Sequence, residues 1–189
     1  DAGRVLLPAA RGRQCLDFAR LRGGSIEEDL ARRDFSIDAM AVSPETPERV
    51  IDPTGGLQDL RDRTLKLAAP TAIEDDPLRA LRGVRLATEL DLRIEPNTLA
   101  QIRGAASSLS RISPERIRDE WLRVLQAARP GRPIRLLDHL GLLSAFCPEI
   151  DGLRGLAQPP PHAFDGLTHT LAVLDRLGDL LAVLGPRAE

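Results

Sequence analysis

The sequence predicts an α+β protein in which helices predominate. Short apolar runs with the alternation typical of strands occur only in the first third of the chain. From Asp76 onward the apolar residues follow helical spacing, and prolines directly after Asp76 and Ser113 mark helix starts. We therefore expect a small strand-containing part followed by an all-helical part, with no strand after Asp76.

Composition excludes several classes of protein. The 189 residues include 42% hydrophobic and 29% charged residues, and no apolar run approaches the roughly 20 residues that a membrane helix requires. No signal peptide is visible, and Cys15 and Cys147 lack the spacing of a disulfide framework or a zinc site. These features predict one domain or two small ones, no contact with a membrane, and a cytoplasmic location.

The basic residues are unusual in type and in distribution. Arginine accounts for all of the 26 basic residues except Lys66, and the charge is segregated: residues 79–135 carry a net charge of +6, while the segments on either side each carry −4. Guanidinium groups bind phosphates and base edges in a forked geometry. Four Phe, one Trp and no Tyr argue against a base-stacking surface. The alternative explanation of the arginine excess is codon bias in a GC-rich genome, since most charges on any chain are simply solvated.

The first elements are predicted to be two strands and a helix. The runs RVLLP and QCLDFARL read as strands, and Asp17 projects from a face of the second. Ser25 and Glu28 form a capping box, so a short helix should run to about Arg33. Next, FSIDAMAV and ERVID flank a turn-rich segment and predict a hairpin that delivers Asp52 to its end.

Helix signals dominate the middle of the chain. Asp76 is a predicted N-cap with Pro77 at the first helical position, and Asn97 is a predicted cap of a helix that extends to about Ser107. Ser113 opens a further helix whose apolar stripe includes Trp121.

The C-terminal part is predicted to contain two more helices. The segment from Pro130 to Pro133 should break the chain, and helices are expected over 134–143 and 168–184. Between them, the proline-rich residues 158–162 read as a linker.

Asp76 and Arg79 are the most informative pair of residues. They lie three apart and are therefore neighbours on the first turn of a helix. Cytosine and adenine each present an amino donor beside a ring-nitrogen acceptor, so a carboxylate paired with an arginine favours these two bases over uracil and guanine. The alternative is purely structural: Asp76 caps its helix and Arg79 pairs with it.

Other charged residues could contribute to such a site. Arg79, Arg82 and Arg85 recur every three residues on a mostly apolar helix, so they must reach its rim or line a polar cleft that suits a triphosphate or an RNA backbone. Arg32 and Arg33 lie at a predicted helix C-terminus, where the helix dipole alone would also favour them.

Four sequence blocks, in order, resemble the class II tRNA nucleotidyltransferase and bacterial poly(A) polymerase family. SIEEDLARRDFSIDAMA is similar to the family's RRDFTINAMA block, and IDPTGGLQDL to its DPFGGLEDL segment. EDDPLRALRGVRLATEL is similar to the family's EDPLRxLRxxRF helix, and SPERIRDEWLRVL to its ERIRDEL block. Together they cover nearly the whole chain.

The resemblance implies a partial polymerase-β-like nucleotidyltransferase head over residues 1–67, a helical neck over 68–129, and over 130–189 a helical body with the possible start of an HD-like domain. It implies addition of C and/or A to RNA 3′ ends, with tRNA, ATP and CTP as substrates and two Mg²⁺ ions as cofactors. By the same resemblance, Asp17 is expected to be a catalytic carboxylate. The implied nucleotide-binding residues are Arg32, Arg33, Asp34, Asp38, Asp75, Asp76, Arg79, Arg82 and Arg85. The implied RNA-binding residues are Arg116 and Arg118.

The sequence also departs from the family pattern. Its GGxVRD block and DxD pair should precede residue 1, so the chain is expected to be a fragment that is inactive alone, with most metal ligands upstream. Asp75 stands in place of Glu, and Asp38 in place of Asn. An RNA-binding module or inactive paralogue is the main alternative. An HD-type phosphohydrolase, indicated only by His162, Asp165 and His169, is another alternative, although residues of this kind more often cap a helix or lie on the surface.

Overall fold

The computed structural model describes residues 2–9 and 12–185, and it confirms the predicted α+β, mainly α, fold class. Two strands, Ala2–Ala9 (β1) and Gly12–Ala19 (β2), form an antiparallel hairpin in which Ala2 pairs with Ala19. Val5, Leu6, Leu16 and Phe18 give it strand propensity, and all four are exposed. The two predicted strands are confirmed.

The next elements follow from capping and from burial of Phe35. Helix α1 (Ile26–Leu30) begins where Ser25 Oγ accepts from the Glu28 amide, as the capping box predicts, but it ends three residues before Arg33. The expected strand over FSIDAMAV is wrong. Residues 36–38 form a 3-10 turn, in which Ser36 Oγ donates to Asp59 Oδ2, and only Ala41–Ser43 (β3) is extended. The turn lets consecutive residues face the core, which a strand does not allow.

Strand β3 pairs antiparallel with β4 (Thr46–Ile51), so the predicted hairpin exists with a shorter first strand. Asp52 follows directly and accepts from the amides of Gly56 and Leu57 at 2.7 and 2.9 Å, which caps α2 (Gly56–Arg61). Strand β5 (Thr64–Leu65) comes next, and a short helix, α3 (Ala72–Asp75), precedes the helical part.

Helix α4 (Leu78–Glu89) begins one residue later than predicted, and Asp76 Oδ1 accepts from the Leu78 amide. The prediction of no strand after Asp76 is wrong, because Arg93–Ile94 (β6) pairs in parallel with β5. A two-residue strand has too few positions to show alternation.

The cap predicted at Asn97 is also wrong. Glu95 caps α5 (Pro96–Gly104) by accepting from the Thr98 amide, and a 3-10 helix over residues 105–111 extends it. Glu95 is an unusual N-cap, and Asn97 lies inside the first turn. Helix α6 (Pro114–Leu125) starts after Ser113 as predicted.

The predicted break is present, since no helix covers residues 126–130, but it ends before Pro133. The single helix predicted over 134–143 is divided into two helices. Helix α7 (Gly131–His139) includes Pro133 in its first turn, where a backbone N–H has no intrahelical partner and proline is tolerated. Gly141, with φ of +73°, then separates α8 (Leu142–Phe146). Helix α9 (Gly166–Leu184) confirms the last predicted helix.

Two aliphatic clusters hold the structure together. The larger joins α4 to helices α5–α9 through side chains such as Leu81 and Leu137, and the smaller surrounds Phe35. Leu67 and Ile94 pack against both clusters, and α4 contributes residues to each. Helix α4 therefore fixes the strand-containing part against the helical part.

Candidate functional site

A polar cleft of about 420 Å³ lies where the end of β2, α1, the 3-10 turn, α4 and α6 meet. Its volume lies in the range of small-molecule sites. Seven arginines line it: Arg20, Arg22, Arg33, Arg79, Arg82, Arg116 and Arg123. Six carboxylates also line it: Asp29, Asp34, Asp38, Asp76, Asp119 and Glu120. Most of the arginines are held by these carboxylates.

The wall formed by α1 is anchored by Asp29, which is 4% exposed. Its Oδ1 accepts from the Arg22 amide at 2.8 Å, and its Oδ2 accepts from Arg33 Nε and Nη2 at 3.0 and 2.8 Å. The hydrogen bond from the Arg22 amide, and then those from Arg33, lower the pKa of Asp29. Asp29 therefore stays ionised and fixes both the Arg33 guanidinium and the loop after β2.

Arg82 on α4 faces two carboxylates of the strand-containing part. Its Nε lies 3.1 Å from Asp34 Oδ2 without forming a hydrogen bond, and its Nη2 lies 3.8 Å from Asp38 Oδ2. Burial and the nearby Asp34 charge raise the pKa of Asp38, while Arg82 opposes this effect. The surroundings of Asp38 therefore disfavour its charged form.

Asp76 lies at the start of α4 and is held on both oxygens. Oδ1 accepts from the Leu78 amide at 3.3 Å, and Oδ2 accepts from Arg116 Nη2 at 2.6 Å. Arg79 does not pair with Asp76, because its Nη1 donates to the Ala72 carbonyl at 3.1 Å. Asp76 thus caps its helix, as the structural alternative predicts. Asp76 and Arg79 both line the cleft.

A buried ion pair between Arg85 and Glu120 joins α4 to α6. Arg85 Nε lies 2.5 Å from Glu120 Oε1, and Nη1 lies 2.7 Å from Glu89 Oε2. Burial alone would lower the pKa of Arg85, but the bonds to Glu120 and Glu89 outweigh it and raise the pKa. Arg123 also approaches Glu120, at 3.6 Å. This pair fixes the distance between the helices that carry Asp76 and Arg116.

The structure brings together seven of the residues singled out from sequence: Arg33, Asp34, Asp38, Asp76, Arg79, Arg82 and Arg116. The other five lie outside the cleft lining. Asp17 pairs with Arg4 within the β1–β2 hairpin, Asp75 accepts from Thr71, and Arg118 pairs with Asp119. Arg85 faces Glu120, and Arg32 is exposed after α1.

Sequence reasoning missed several residues of the cleft, among them Arg20, Arg22, Asp29 and Glu120. Arg20 and Arg22 follow β2 outside any recognised block. Asp29 and Glu120 carried a usable signal, since each lies four residues from an arginine of its own segment, Arg33 and Arg116.

The histidine segment does not form a metal centre within the described residues. His162 and His169 pack edge to face at 4.8 Å between ring centres, and Asp165 caps α9 by accepting from the Thr168 amide. The bonds to Thr168 and Gly155 lower the pKa of Asp165. Across residues 2–9 and 12–185, no three His, Cys, Asp or Glu side chains are arranged to hold a metal ion. In that same range no helix is long and apolar enough to span a membrane.

Two family models match the chain. The "Poly A polymerase head domain" matches residues 9–66, and the "Probable RNA and SrmB- binding site of polymerase A" matches residues 91–153. These matches define the class of protein by its domains, a head domain of the poly(A) polymerase type followed by an RNA-binding segment. The chain belongs to the class II tRNA nucleotidyltransferase and poly(A) polymerase family.

Individual relatives agree with this assignment. The chain is 38% identical over 165 residues to a "Multifunctional CCA protein" of Methylococcus capsulatus, and the match covers 84% of this chain and 38% of the relative. It is 37% identical over 158 residues to an "A-adding tRNA nucleotidyltransferase" of Deinococcus radiodurans, and this match covers 81% of this chain and 36% of the relative. A solved "tRNA-processing enzyme (apo form 2)" superposes with a TM-score of 0.74 at 26% identity, over 96% of this chain and 50% of that structure. The chain spans less than two fifths of the length of these two relatives.

Proposed function

We propose that this protein is a template-independent RNA nucleotidyltransferase that adds C and/or A to tRNA 3′ ends. One observation carries the proposal. Asp76 and Arg79 line a single cleft together with arginines of the strand-containing part, such as Arg33, and the cleft has the volume of a small-molecule site. The names of the two relatives, a "Multifunctional CCA protein" and an "A-adding tRNA nucleotidyltransferase", support the same proposal.

Base selection is assigned to the start of α4. The carboxylate of Asp76 can accept from the exocyclic amino group of cytosine or adenine, and a free N–H of Arg79 can donate to the adjacent ring nitrogen. Arg116 keeps Asp76 Oδ2 in place, and the Ala72 carbonyl keeps Arg79 in place. The two readers are therefore preorganised, which lowers the entropy cost of binding the base.

The sugar and phosphates are assigned to the opposite wall. Arg33 and Arg82 supply the guanidinium groups there, while Asp34 and Asp38 hold Arg82 and can accept from ribose hydroxyls. In the proposed reaction the RNA 3′-hydroxyl oxygen attacks the α-phosphorus and pyrophosphate leaves. Mg²⁺ is expected from the family resemblance. Because the described residues do not form a site for it, we assign no step to a metal here.

The remaining assignments extend the same proposal. Arg118 on α6, within the segment that matches the RNA-binding model, contacts RNA, and Asp17 remains a proposed catalytic carboxylate. We retain head, neck and body limits of 1–67, 68–129 and 130–189, and a cytoplasmic location.

Calorimetry with all four nucleoside triphosphates and Mg²⁺ tests the base preference. ATP and CTP should bind at least tenfold more tightly than GTP and UTP, and Asp76→Asn should remove most of this preference, because one charged hydrogen bond contributes about 1.5–3 kcal/mol. Arg49→Gln, an exposed change outside the cleft, is the control. Equal binding of all four nucleotides would overturn the proposal.

A second assay separates the enzyme from an RNA-binding module. The full-length protein should transfer labelled AMP or CMP to tRNA that lacks its CCA end. Salt-dependent tRNA binding without transfer would instead support the module.

A further inference from the structure

Arg20 and Arg22 differ from most other arginines of the cleft. Within residues 2–9 and 12–185, four arginines of the lining have a carboxylate partner: Arg33, Arg82, Arg116 and Arg123. In the same range Arg20, Arg22 and Arg79 have none, and Arg79 is held by a backbone carbonyl. The uncompensated positive charge of the cleft therefore lies at the end of β2 and at the start of α4.

The loop that carries these two arginines has a fixed backbone. The Arg22 amide donates to Asp29 Oδ1 at 2.8 Å, and the Gly24 amide donates to Glu28 Oε2 at 2.9 Å. Gly23 between them has φ of +133°, a conformation that side chains other than glycine rarely adopt. Helix α1 thus holds the loop through the backbone and leaves the guanidinium groups available.

Both side chains point to the same space. Arg20 and Arg22 line the cleft, whereas Leu21 between them does not line it and is 46% exposed. This alternation is that of an extended segment, in which residues two apart share a face. Each guanidinium presents a fork of N–H donors, and two such groups lining one cleft can bind several phosphate oxygens at once.

We infer that Arg20 and Arg22 form a phosphate-binding subsite at the β2 end of the cleft. The proposal rests on the proposed function only in placing a nucleotide or an RNA end in this cleft. The phosphate belongs either to the incoming nucleoside triphosphate or to the RNA backbone. Both present phosphate oxygens that accept hydrogen bonds from the same guanidinium N–H groups.

The test is a double substitution, Arg20→Gln with Arg22→Gln, in the full-length protein. Its matched control is Arg49→Gln with Arg61→Gln, which removes the same charge from exposed residues of the same part of the chain outside the cleft. Binding is measured by calorimetry with inorganic tripolyphosphate, with ATP, and with a tRNA transcript that lacks its CCA end. Circular dichroism checks that both variants are folded.

We expect the cleft variant to lose at least tenfold in affinity for one source of phosphate, and the control to stay within twofold. Loss with tripolyphosphate and ATP assigns the subsite to the triphosphate, whereas loss with tRNA alone assigns it to the RNA backbone. Replacing both arginines by lysine, which keeps the charge but removes the fork, should give an intermediate loss.

Affinities equal to those of the control for all three probes would overturn the proposal. Tripolyphosphate carries no base, so its binding tests the subsite independently of base preference. A protein that binds all four nucleotides equally but still depends on Arg20 and Arg22 would contradict the proposed function and support the subsite.

Discussion

The buried ion pair between Arg85 and Glu120 should contribute strongly to stability. The two side chains are 11% and 5% exposed, and Arg85 Nε lies 2.5 Å from Glu120 Oε1. Removing one member of a buried pair leaves an uncompensated charge, at a cost of about 3–5 kcal/mol. Glu89 still contacts Arg85 at 2.7 Å, so we expect Glu120→Ala to cost about 3 kcal/mol, at the lower end of that range. Glu120→Gln should cost about 1–2 kcal/mol, because the amide oxygen can still accept from Arg85.

Urea denaturation followed by far-UV circular dichroism measures these free energies of unfolding. Asp119→Asn is the control on the same helix, because Asp119 pairs with Arg118 and both are about 60% exposed, so its loss should cost less than about 1 kcal/mol. If Glu120→Ala and Asp119→Asn destabilise the protein equally, the reasoning from burial is refuted. A midpoint shift with unchanged slope is expected, since the unfolded state is the same.

Three further predictions concern single residues. Asp38→Asn should raise the affinity for ATP severalfold in calorimetry, because it removes a negative charge beside Arg82, and it should stabilise the protein at pH 7, since the raised pKa of Asp38 means that its ionised form disfavours folding; an unchanged melting temperature would contradict this. Gly56→Ala should cost several kcal/mol or prevent folding, because the new Cβ would lie 2.1 Å from the Ser36 carbonyl oxygen; soluble expression with an unchanged melting temperature would exclude that contact. Asp29 has a lowered pKa, so its contribution to stability is complete above the unfolded-state pKa of about 3.9 and is lost as pH falls through the folded-state pKa. Between pH 6 and pH 2 the melting temperature of Asp29→Asn should therefore fall less than that of the wild type, and an equal fall would contradict this.

The elements that the sequence predicts correctly are those governed by local signals. Ser25 caps α1 through the Glu28 amide, and Asp76 accepts from an amide of the first turn of α4. The errors lie where distant residues decide. Strand β6 exists because it pairs with β5, where Thr64 pairs with Arg93, and no local pattern marks a strand of two residues.

The sequence predicts only part of the candidate site, because here too the packing of a distant element decides which side chains reach the cleft. Residues three apart on a helix differ by 300° in direction, so Arg79, Arg82 and Arg85 turn steadily across an arc of about 120°. The first two reach the cleft, and the third faces Glu120 on α6. The arc follows from the sequence, but which of its edges borders the cleft depends on where α6 packs.

The position of α4 between the two aliphatic clusters has a consequence for unfolding. Gly83 lies so close to Phe35 that an added Cβ would be 2.7 Å from its ring, which places the helix directly on the core of the strand-containing part. Other residues of the same helix, such as Leu81 and Val84, fill the core of the helical part. The described residues should therefore melt in one calorimetric transition, with the strand-containing part and the helical part behaving as a single cooperative unit and not as two bodies joined by a hinge.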